Sequence, residues 1–210
     1  MVEEVDSSDA DVDIETGIEY ESIEHMVDEA RKLDCDKIVN CSGLGAADIC
    51  GDDQLIGARG ILLHYDRNNC ARRDSIKEGE FGPMIHDANI LVEDAPWGSE
   101  EMPCYLIVRG NTILVGGSYL EGDSEPSIRE SERTKLLKNA ELVGIDTKKS
   151  QPIGEWTGFR PFRPTSRCEV DGHFDGIQEN IQLVHSYGYG GSGWTVFVGC
   201  AKEATQLLLA

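Results

Sequence analysis

A glycine-rich segment, residues 188–193, lies between two segments in which apolar residues recur at different spacings. It restricts how this part of the chain can fold. The run before it, 181–185, is typical of a strand, and the run after it, 196–209, is typical of a helix. Glycines in such a turn let a ligand approach the backbone, and the first turn of a helix offers unpaired N–H groups. The segment therefore predicts either an anion or oxyanion site or simply a tight strand–helix turn.

The same segment matches G-x-G-x-x-G, the fingerprint of a dinucleotide-binding turn. A complete unit of that kind also needs a second strand and an acidic residue about 20 positions further on. Only 17 residues follow Gly193 in this chain of 210. The sequence G-K-S/T, which a phosphate-binding P-loop requires, is also absent from the segment. We therefore expect the segment to serve a different purpose from binding a dinucleotide pyrophosphate.

Charge and cysteine content exclude several classes of partner and site. The chain has 39 acidic and 19 basic residues, a net charge of −20, and such a surface repels nucleic acid. Its seven cysteines form no C-x-x-C pair, so we expect a reducing compartment and neither a disulfide framework nor a metal site. No apolar run approaches the roughly 20 residues of a membrane span. The sequence shows neither a signal peptide nor a peroxisomal S-K-L tripeptide.

The order of predicted elements indicates a mixed α/β fold, in which a β-rich region is inserted between pieces of an α/β layer. The predicted helices are 23–33, 127–137 and 196–209. Ser124 or Ser127 is expected to cap the second of these helices. The predicted strands are 38–43, 60–65, 89–92, 104–108, 112–115, 167–170 and 181–185, with a short edge strand over 14–20 also considered. This order divides the chain into an acidic, disordered segment (1–19), an α/β segment (20–57), a β-rich region (58–155) and a return to the α/β layer (156–210).

Two segments carry side chains suited to binding a small anion. Arg160 and Arg163 each precede a proline in GFRPFRP, which holds the backbone extended and stiff. A rigid arginine suits bidentate recognition of a carboxylate, although either arginine could instead pair with one of the many acidic residues. Tyr105 shares a strand face with Ile107 and is either a site residue or a half-buried strand tyrosine.

Five motifs, in order, resemble the carboxyl-terminal part of the D-amino-acid oxidase family. They are DKIVNCSGLGA (36–46), GARG (57–60), YLIVRGNTILVGGSYLEGD (105–123), TGFRPFRPTSRCE (157–169) and HSYGYGGSGWTVFVGCAKEA (185–204). The similarity extends from about residue 20 to residue 209. The resemblance implies an FAD-binding α/β domain, to which 20–57 and 156–210 belong, and a mixed-sheet substrate domain over 58–155. It also implies that FAD oxidises a D-amino acid by hydride transfer, and that the products are a 2-oxo acid, ammonia and hydrogen peroxide.

The resemblance also implies roles for individual residues. Arg160 matches the arginine that binds the substrate carboxylate, Tyr105 the tyrosine that assists it, and Gly191 the glycine whose carbonyl oxygen accepts a hydrogen bond from the substrate amine. The residues that match cofactor contacts are Ser42, Gly43, Gly190, Gly191, Gly193, Trp194 and Thr195. The substrate amine can arrive neutral, so no general base is required.

This sequence departs from the family pattern at several positions, and these departures limit which family roles apply to its residues. The family's second active-site tyrosine falls at Glu101, and Ser192 replaces a bulky loop residue. The strand, glycine turn and helix that hold the FAD pyrophosphate in the family have no counterpart before residue 20. Tyr119 stands where D-aspartate oxidases have an arginine, so we expect neutral D-amino acids as substrates.

The alternatives are a D-aspartate oxidase, a glycine- or sarcosine-type flavin oxidase, or a non-catalytic remnant without FAD. The resemblance allows a homodimer and a cytoplasmic or peroxisomal location.

Overall fold

The computed structural model describes residues 18–71, 89–92, 103–172 and 181–210. Its strands are β1 (Lys37–Asn40), β2 (Ile56–Asp66), β3 (Ile90–Val92), β4 (Cys104–Arg109), β5 (Thr112–Gly116), β6 (Leu120–Glu121), β7 (Gly154–Val170) and β8 (Gln182–Tyr189). Its helices are α1 (Ile23–Lys32), α2 (Ala46–Cys50), α3 (Glu130–Leu142) and α4 (Gly193–Leu208), with 3₁₀ turns at Gly43–Gly45 and Gly190–Ser192. Most of the predicted edge strand over 14–20, the acidic segment and Glu101 lie outside the described residues.

One mixed sheet of eight strands organises the described part of the chain. Its order is β1-β8-β7-β2-β5-β4-β3, and β6 pairs with β2. The β1–β8 pair is parallel, as in an α/β layer, and the other pairs are antiparallel. This confirms the predicted mixed α/β fold class. The division of the chain at residues 57 and 155 stays a prediction.

The long strand β7 joins the two parts of the sheet. Its first half pairs with β2, from Gly154 opposite His64 to Phe162 opposite Ile56. Its second half pairs with β8, after an irregularity between Phe162 and Arg167. The prolines of GFRPFRP lie at this crossing, where a missing backbone donor and a fixed φ are tolerated. The crossing places Arg160 beside the glycine turn that follows β8.

The principal core lies between α3 and one face of the sheet. It contains fully buried side chains from β2, β4, β5 and α3, including Ile61, Leu63, Leu106, Val115 and Leu136. Removing this much apolar surface from water is the main favourable term in folding such a domain. The opposite face of the same strands is therefore left for the site.

The start of α3 differs from its predicted position at residue 127. The helix begins at Glu130 with Arg129 as its N-cap, and neither Ser124 nor Ser127 caps it. The backbone N–H of Arg129 donates to the Glu132 carboxylate at 2.8 Å. Glu132 is in turn bound by the guanidinium of Arg59, which is completely buried. A contact across 73 residues of sequence therefore fixes where the helix begins.

Helix α4 exposes much of its apolar surface. It begins at Gly193, close to its predicted start, and only Ala204 is buried among its residues. Trp194 is 88% exposed, Val198 66% and Phe197 54%. None of the helices in the described ranges is both long and apolar enough to span a membrane.

Candidate functional site

An open cavity of about 850 Å³ lies between the free face of the sheet and the glycine turn that leads into α4. Strands β2, β4, β5 and β7 supply its floor and sides. The residues that line it are Leu62, His64, Tyr105, Ile107, Arg109, Thr112, Leu114, Trp156, Arg160, Gly190, Gly191, Gly193 and Trp194. Six residues predicted from the sequence to form the site are therefore brought together here: Tyr105, Arg160, Gly190, Gly191, Gly193 and Trp194.

Arg160 lies in this cavity without a carboxylate partner among the described residues. Its Nη1 donates to the backbone carbonyl of Ser118 at 3.1 Å, and its guanidinium lies 5.5 Å from the centre of the Tyr119 ring. A Cβ atom on Gly60 would be only 2.5 Å from Nη1. The guanidinium therefore rests on the bare backbone of Gly60. It is held in place by neutral groups, and its charge stays available to an anion.

Arg163, three residues further along β7, has the opposite surroundings. Its Nε donates to Asp52 Oδ2 at 3.0 Å, and the Asp52 side chain is only 6% exposed. The Tyr187 hydroxyl donates to the same oxygen at 2.9 Å. Of the two alternatives left open by the sequence, the structural ion pair is found at Arg163, whereas Arg160 has no carboxylate partner among the described residues.

Tyr105 stands beside Arg160 on the same face of the sheet. Burial raises the pKa of the Tyr105 phenol, and the charge and hydrogen bond of Arg160 oppose that rise only in part. The phenol therefore keeps its proton at neutral pH and can donate a hydrogen bond. Its ring lies over Gly116 and Gly117, where any Cβ atom would overlap it. The ring can lie here only because Gly116, at the end of β5, and Gly117 both lack a side chain.

The glycine turn closes the other side of the cavity. Gly190 has φ +55°, a left-handed conformation that favours glycine, and a Cβ atom there would be 2.9 Å from the Tyr119 hydroxyl oxygen. A Cβ atom on Gly191 would be 3.5 Å from Arg160 Cδ, which is ordinary contact. No described side chain caps the first turn of α4, whose N-cap is Ser192. This end of α4 therefore carries the positive end of the helix dipole at the cavity wall, without a side-chain cap.

Ser42 and Gly43, predicted as cofactor contacts, are placed outside this cavity. They follow β1, where the Asn40 side-chain oxygen accepts hydrogen bonds from the Ser42 backbone N–H (3.1 Å) and hydroxyl (2.7 Å). The Asn40 amide also contacts the buried His185, which is bonded to Asp171 at 2.7 Å. Thr195 also does not line the cavity. The roles of these three residues stay predictions.

Comparison with known proteins decides the family. A family model described as FAD dependent oxidoreductase matches residues 7–207. The chain belongs to this family. The sequence resemblance to the D-amino-acid oxidases is confirmed by relatives with those names. "D-aspartate oxidase 1" of Caenorhabditis elegans is 26% identical over 175 residues, covering 82% of this chain and 45% of the relative. "D-amino-acid oxidase" of Dictyostelium discoideum is 28% identical over 187 residues, covering 88% of this chain and 46% of the relative.

Solved structures support the fold of this FAD dependent oxidoreductase. Glycine oxidase from Geobacillus kaustophilus has a TM-score of 0.57 at 14% identity, covering 83% of this chain and 41% of the other. Iminodiacetate oxidase from Chelativorans sp. BNC1 also has a TM-score of 0.57, at 16% identity and 83% and 42% coverage. The chain thus spans less than half the length of these relatives.

The residues at the glycine turn fit part of the FAD that the family implies. Gly190, Gly191 and Gly193 present bare backbone to the cavity, and the start of α4 carries uncapped N–H groups and the positive end of the helix dipole. Such groups stabilise negative charge, which a flavin ring acquires at its pyrimidine edge on reduction. Gly190, Gly191, Gly193 and Trp194 would therefore hold the ring end of the cofactor.

Several contacts around the cavity were not predicted from the sequence. Ser118 and Tyr119, which was singled out only for its bearing on substrate choice, orient Arg160, and Gly60 makes room for it. Trp156 occupies the same strand face as Arg160, since the two are four residues apart on β7. Alternation along β7 could have placed Trp156 on this face. The contributions of β2 and of the turn after β5 depend on pairings between distant segments, which no local signal reveals.

Proposed function

We propose that this FAD dependent oxidoreductase oxidises D-amino acids to 2-oxo acids, with release of ammonia and hydrogen peroxide. Arg160 binds the substrate carboxylate and Tyr105 donates a second hydrogen bond to it. When bound, FAD supplies the acceptor for the hydride that leaves Cα, and oxygen then restores it. The protein's own contribution is to hold the substrate Cα in one orientation and to exclude other orientations of the substrate.

The observation that carries the proposal is the guanidinium of Arg160, which forms no ion pair with a carboxylate among the described residues. In a chain with 20 more acidic than basic residues, an arginine on a cavity wall would readily find a carboxylate. The described part of the chain instead surrounds Arg160 with a carbonyl oxygen, a tyrosine ring and glycine backbone. A site that presents a positioned, unpaired guanidinium is suited to an incoming carboxylate.

The glycine turn supplies the second anchor for the substrate. Gly191 lies next to the aliphatic part of Arg160, so its carbonyl oxygen is a suitable acceptor for the α-amino group of a substrate held by the guanidinium. With the carboxylate and the amine both bound, only one enantiomer directs its Cα hydrogen toward the cofactor. The chain needs no general base for this step if the amine binds in its neutral form.

Neutral substrates fit the cavity better than acidic ones. Among the described residues, the basic groups that line it besides Arg160 are His64 and Arg109, and both lie far along the sheet. The Arg160 guanidinium lies over Gly60, and His64 is four residues further along β2, a distance of about 13 Å at 3.3 Å per residue. The side-chain carboxylate of D-aspartate, two bonds from Cα, would reach neither group.

The test is turnover by the full-length protein, meaning the complete open reading frame that contains this chain. Purified with FAD, it is expected to form peroxide and a 2-oxo acid from D-alanine, far more slowly from D-aspartate, and not from L-alanine. Faster turnover of D-aspartate than of D-alanine would contradict the substrate class. Absence of peroxide with every D-amino acid would contradict the activity itself.

A further inference from the structure

Trp156 lies on the cavity wall in an arrangement that core packing does not require. The side chain is 49% exposed, although it is the largest apolar surface that β7 contributes to the cavity. Its six-membered ring lies over Gly158, where a Cβ atom would overlap the ring. A large aromatic surface left open to water beside a polar anchor is typical of a binding site.

Two paired glycines place the indole of Trp156 next to the guanidinium of Arg160. Gly158 on β7 is the direct cross-strand partner of Gly60 on β2. The Trp156 ring covers Gly158, and the Arg160 guanidinium covers Gly60. Since directly opposed positions on a sheet are about 5 Å apart, the two groups lie side by side. Any carboxylate held by Arg160 therefore has the indole as a near neighbour.

The cavity wall beyond the indole is also apolar. Leu62 is the cross-strand partner of Trp156 on one side and of Gly116 on the other. Leu114 and Ile107, which are paired with each other, extend this surface along β5 and β4. This apolar patch lies one or two residue pairs along the sheet from Arg160. A substrate side chain can reach across that distance.

We propose that Trp156 is a specificity-determining residue that selects large apolar side chains, such as phenyl or isobutyl groups. This proposal rests on the proposed oxidation of D-amino acids and names the substrate class within it. A substrate anchored at Arg160 lays its side chain against the indole and covers surface that both would otherwise expose to water. The methyl group of D-alanine is too small to cover the indole surface.

The experiment compares kcat/KM for D-phenylalanine with kcat/KM for D-alanine in the FAD-loaded full-length protein. Trp156→Ala is expected to lower the ratio of the two values about tenfold or more, because a wall of the apolar subsite is lost. Trp156→Phe keeps a smaller ring and is expected to lower the ratio by only about threefold. Ile153→Ala is the matched control, because Ile153 is 67% exposed and does not line the cavity.

An unchanged ratio in Trp156→Phe and Trp156→Ala, or an equal loss for both substrates, would overturn the assignment of Trp156. Calorimetric binding of 3-phenylpropionate and propionate separates this proposal from the activity. If the protein oxidises no D-amino acid yet binds 3-phenylpropionate more tightly, in a manner that Trp156→Ala abolishes, the activity fails and the subsite is supported. If it binds neither acid, or both equally, the subsite is refuted.

Discussion

Arg160 and Arg163 are three residues apart on β7, yet only Arg163 forms an ion pair with a carboxylate among the described residues. Arg163 donates to Asp52 at 3.0 Å, whereas Arg160 donates to a backbone carbonyl at 3.1 Å. The two arginines have the same local sequence, Arg-Pro. Arg163 is therefore part of a structural ion pair, whereas Arg160 remains open to the proposed binding role.

Arg160→Ala should weaken substrate binding without unfolding the protein. Loss of a charged, bidentate contact is worth about 2–4 kcal/mol, or roughly a 30- to 1,000-fold rise in KM at 1.4 kcal/mol per factor of ten. The measurement is steady-state peroxide formation with D-alanine, together with the thermal midpoint. Arg163→Ala serves as the comparison and should mainly lower the thermal midpoint. An unchanged KM in Arg160→Ala would remove Arg160 from the site.

Gly60→Ala should reproduce much of the effect of Arg160→Ala, although it leaves the arginine in the chain. A Cβ atom at Gly60 would lie 2.5 Å from Arg160 Nη1, so the guanidinium must move. We expect a rise in KM of about tenfold or more, since small displacements of a positioning group are costly. Gly154→Ala is the control, because its Cβ would be 3.9 Å from His64. Equal KM values in the two variants would contradict the proposed support of Arg160.

Gly191→Val should abolish turnover while leaving most of the fold intact. The position is exposed and its added Cβ would make ordinary contact at 3.5 Å from Arg160 Cδ. The branched side chain would then occupy the space that the substrate amine and flavin need. The readouts are peroxide formation and the thermal midpoint. Full activity in this variant would refute the assigned role of the turn.

Acid should destabilise the protein through the carboxylates that surround Arg59. Burial alone would raise the pKa of Glu132, but hydrogen bonds from Arg59 and Arg129 lower it below its usual value. Hydrogen bonding from Arg129, above all, lowers the pKa of Asp123. Because the folded-state values lie below the unfolded ones, the unfolded state binds more protons in this range. Their stabilisation is therefore complete above about pH 5 and is lost as the pH falls below about 4.

Glu132→Gln tests this origin of acid sensitivity. The substitution leaves the completely buried Arg59 without its main partner and should cost about 3 kcal/mol at neutral pH. The loss should shrink as the pH falls, because the wild-type carboxylate becomes protonated. Urea unfolding between pH 3 and 7 measures both effects, with the exposed Glu130→Gln as a control. A loss that does not vary with pH would contradict the explanation.

The 210-residue chain on its own should bind FAD weakly or not at all. The affinity of such proteins for the cofactor depends strongly on a pyrophosphate site, and these 210 residues contain G-x-G-x-x-G only at 188–193, the segment proposed to hold the ring end of the flavin. The apolar side chains of α4 would also stay in water, with Trp194 88% exposed. Fluorescence titration of the isolated chain with FAD checks this. A purified chain that retained stoichiometric yellow flavin would contradict it.

Local signals in the sequence predicted the local parts of this fold. The β4–β5 hairpin follows from two alternating runs around Arg109-Gly110-Asn111, and the spacing of apolar residues gave α1. Features set by distant partners could not be predicted in this way. Asp52 is 111 residues from Arg163, and the two arginines of β7 could therefore not be told apart. The helix start at Glu130 depends in the same way on Arg59.

The candidate site shows the same division. The glycine turn, Arg160 and Tyr105 were predicted because motif spacing and resemblance identify them. Trp156 was missed, since alternation along β7 gives its face but not the Gly60–Gly158 pair on which it and Arg160 rest. That pair joins residues almost a hundred positions apart, and only the register of β2 and β7 shows that they are neighbours.

The most direct test of the proposed function is anaerobic mixing of the FAD-loaded full-length protein with each enantiomer of alanine. Without oxygen, hydride transfer from Cα leaves the flavin reduced, and its yellow absorbance disappears. We predict bleaching by D-alanine, none by L-alanine, and at a given D-alanine concentration far slower bleaching in Arg160→Ala. Bleaching by both enantiomers, by neither, or at an unchanged rate in Arg160→Ala would contradict the claim that Arg160 anchors a D-amino acid for oxidation.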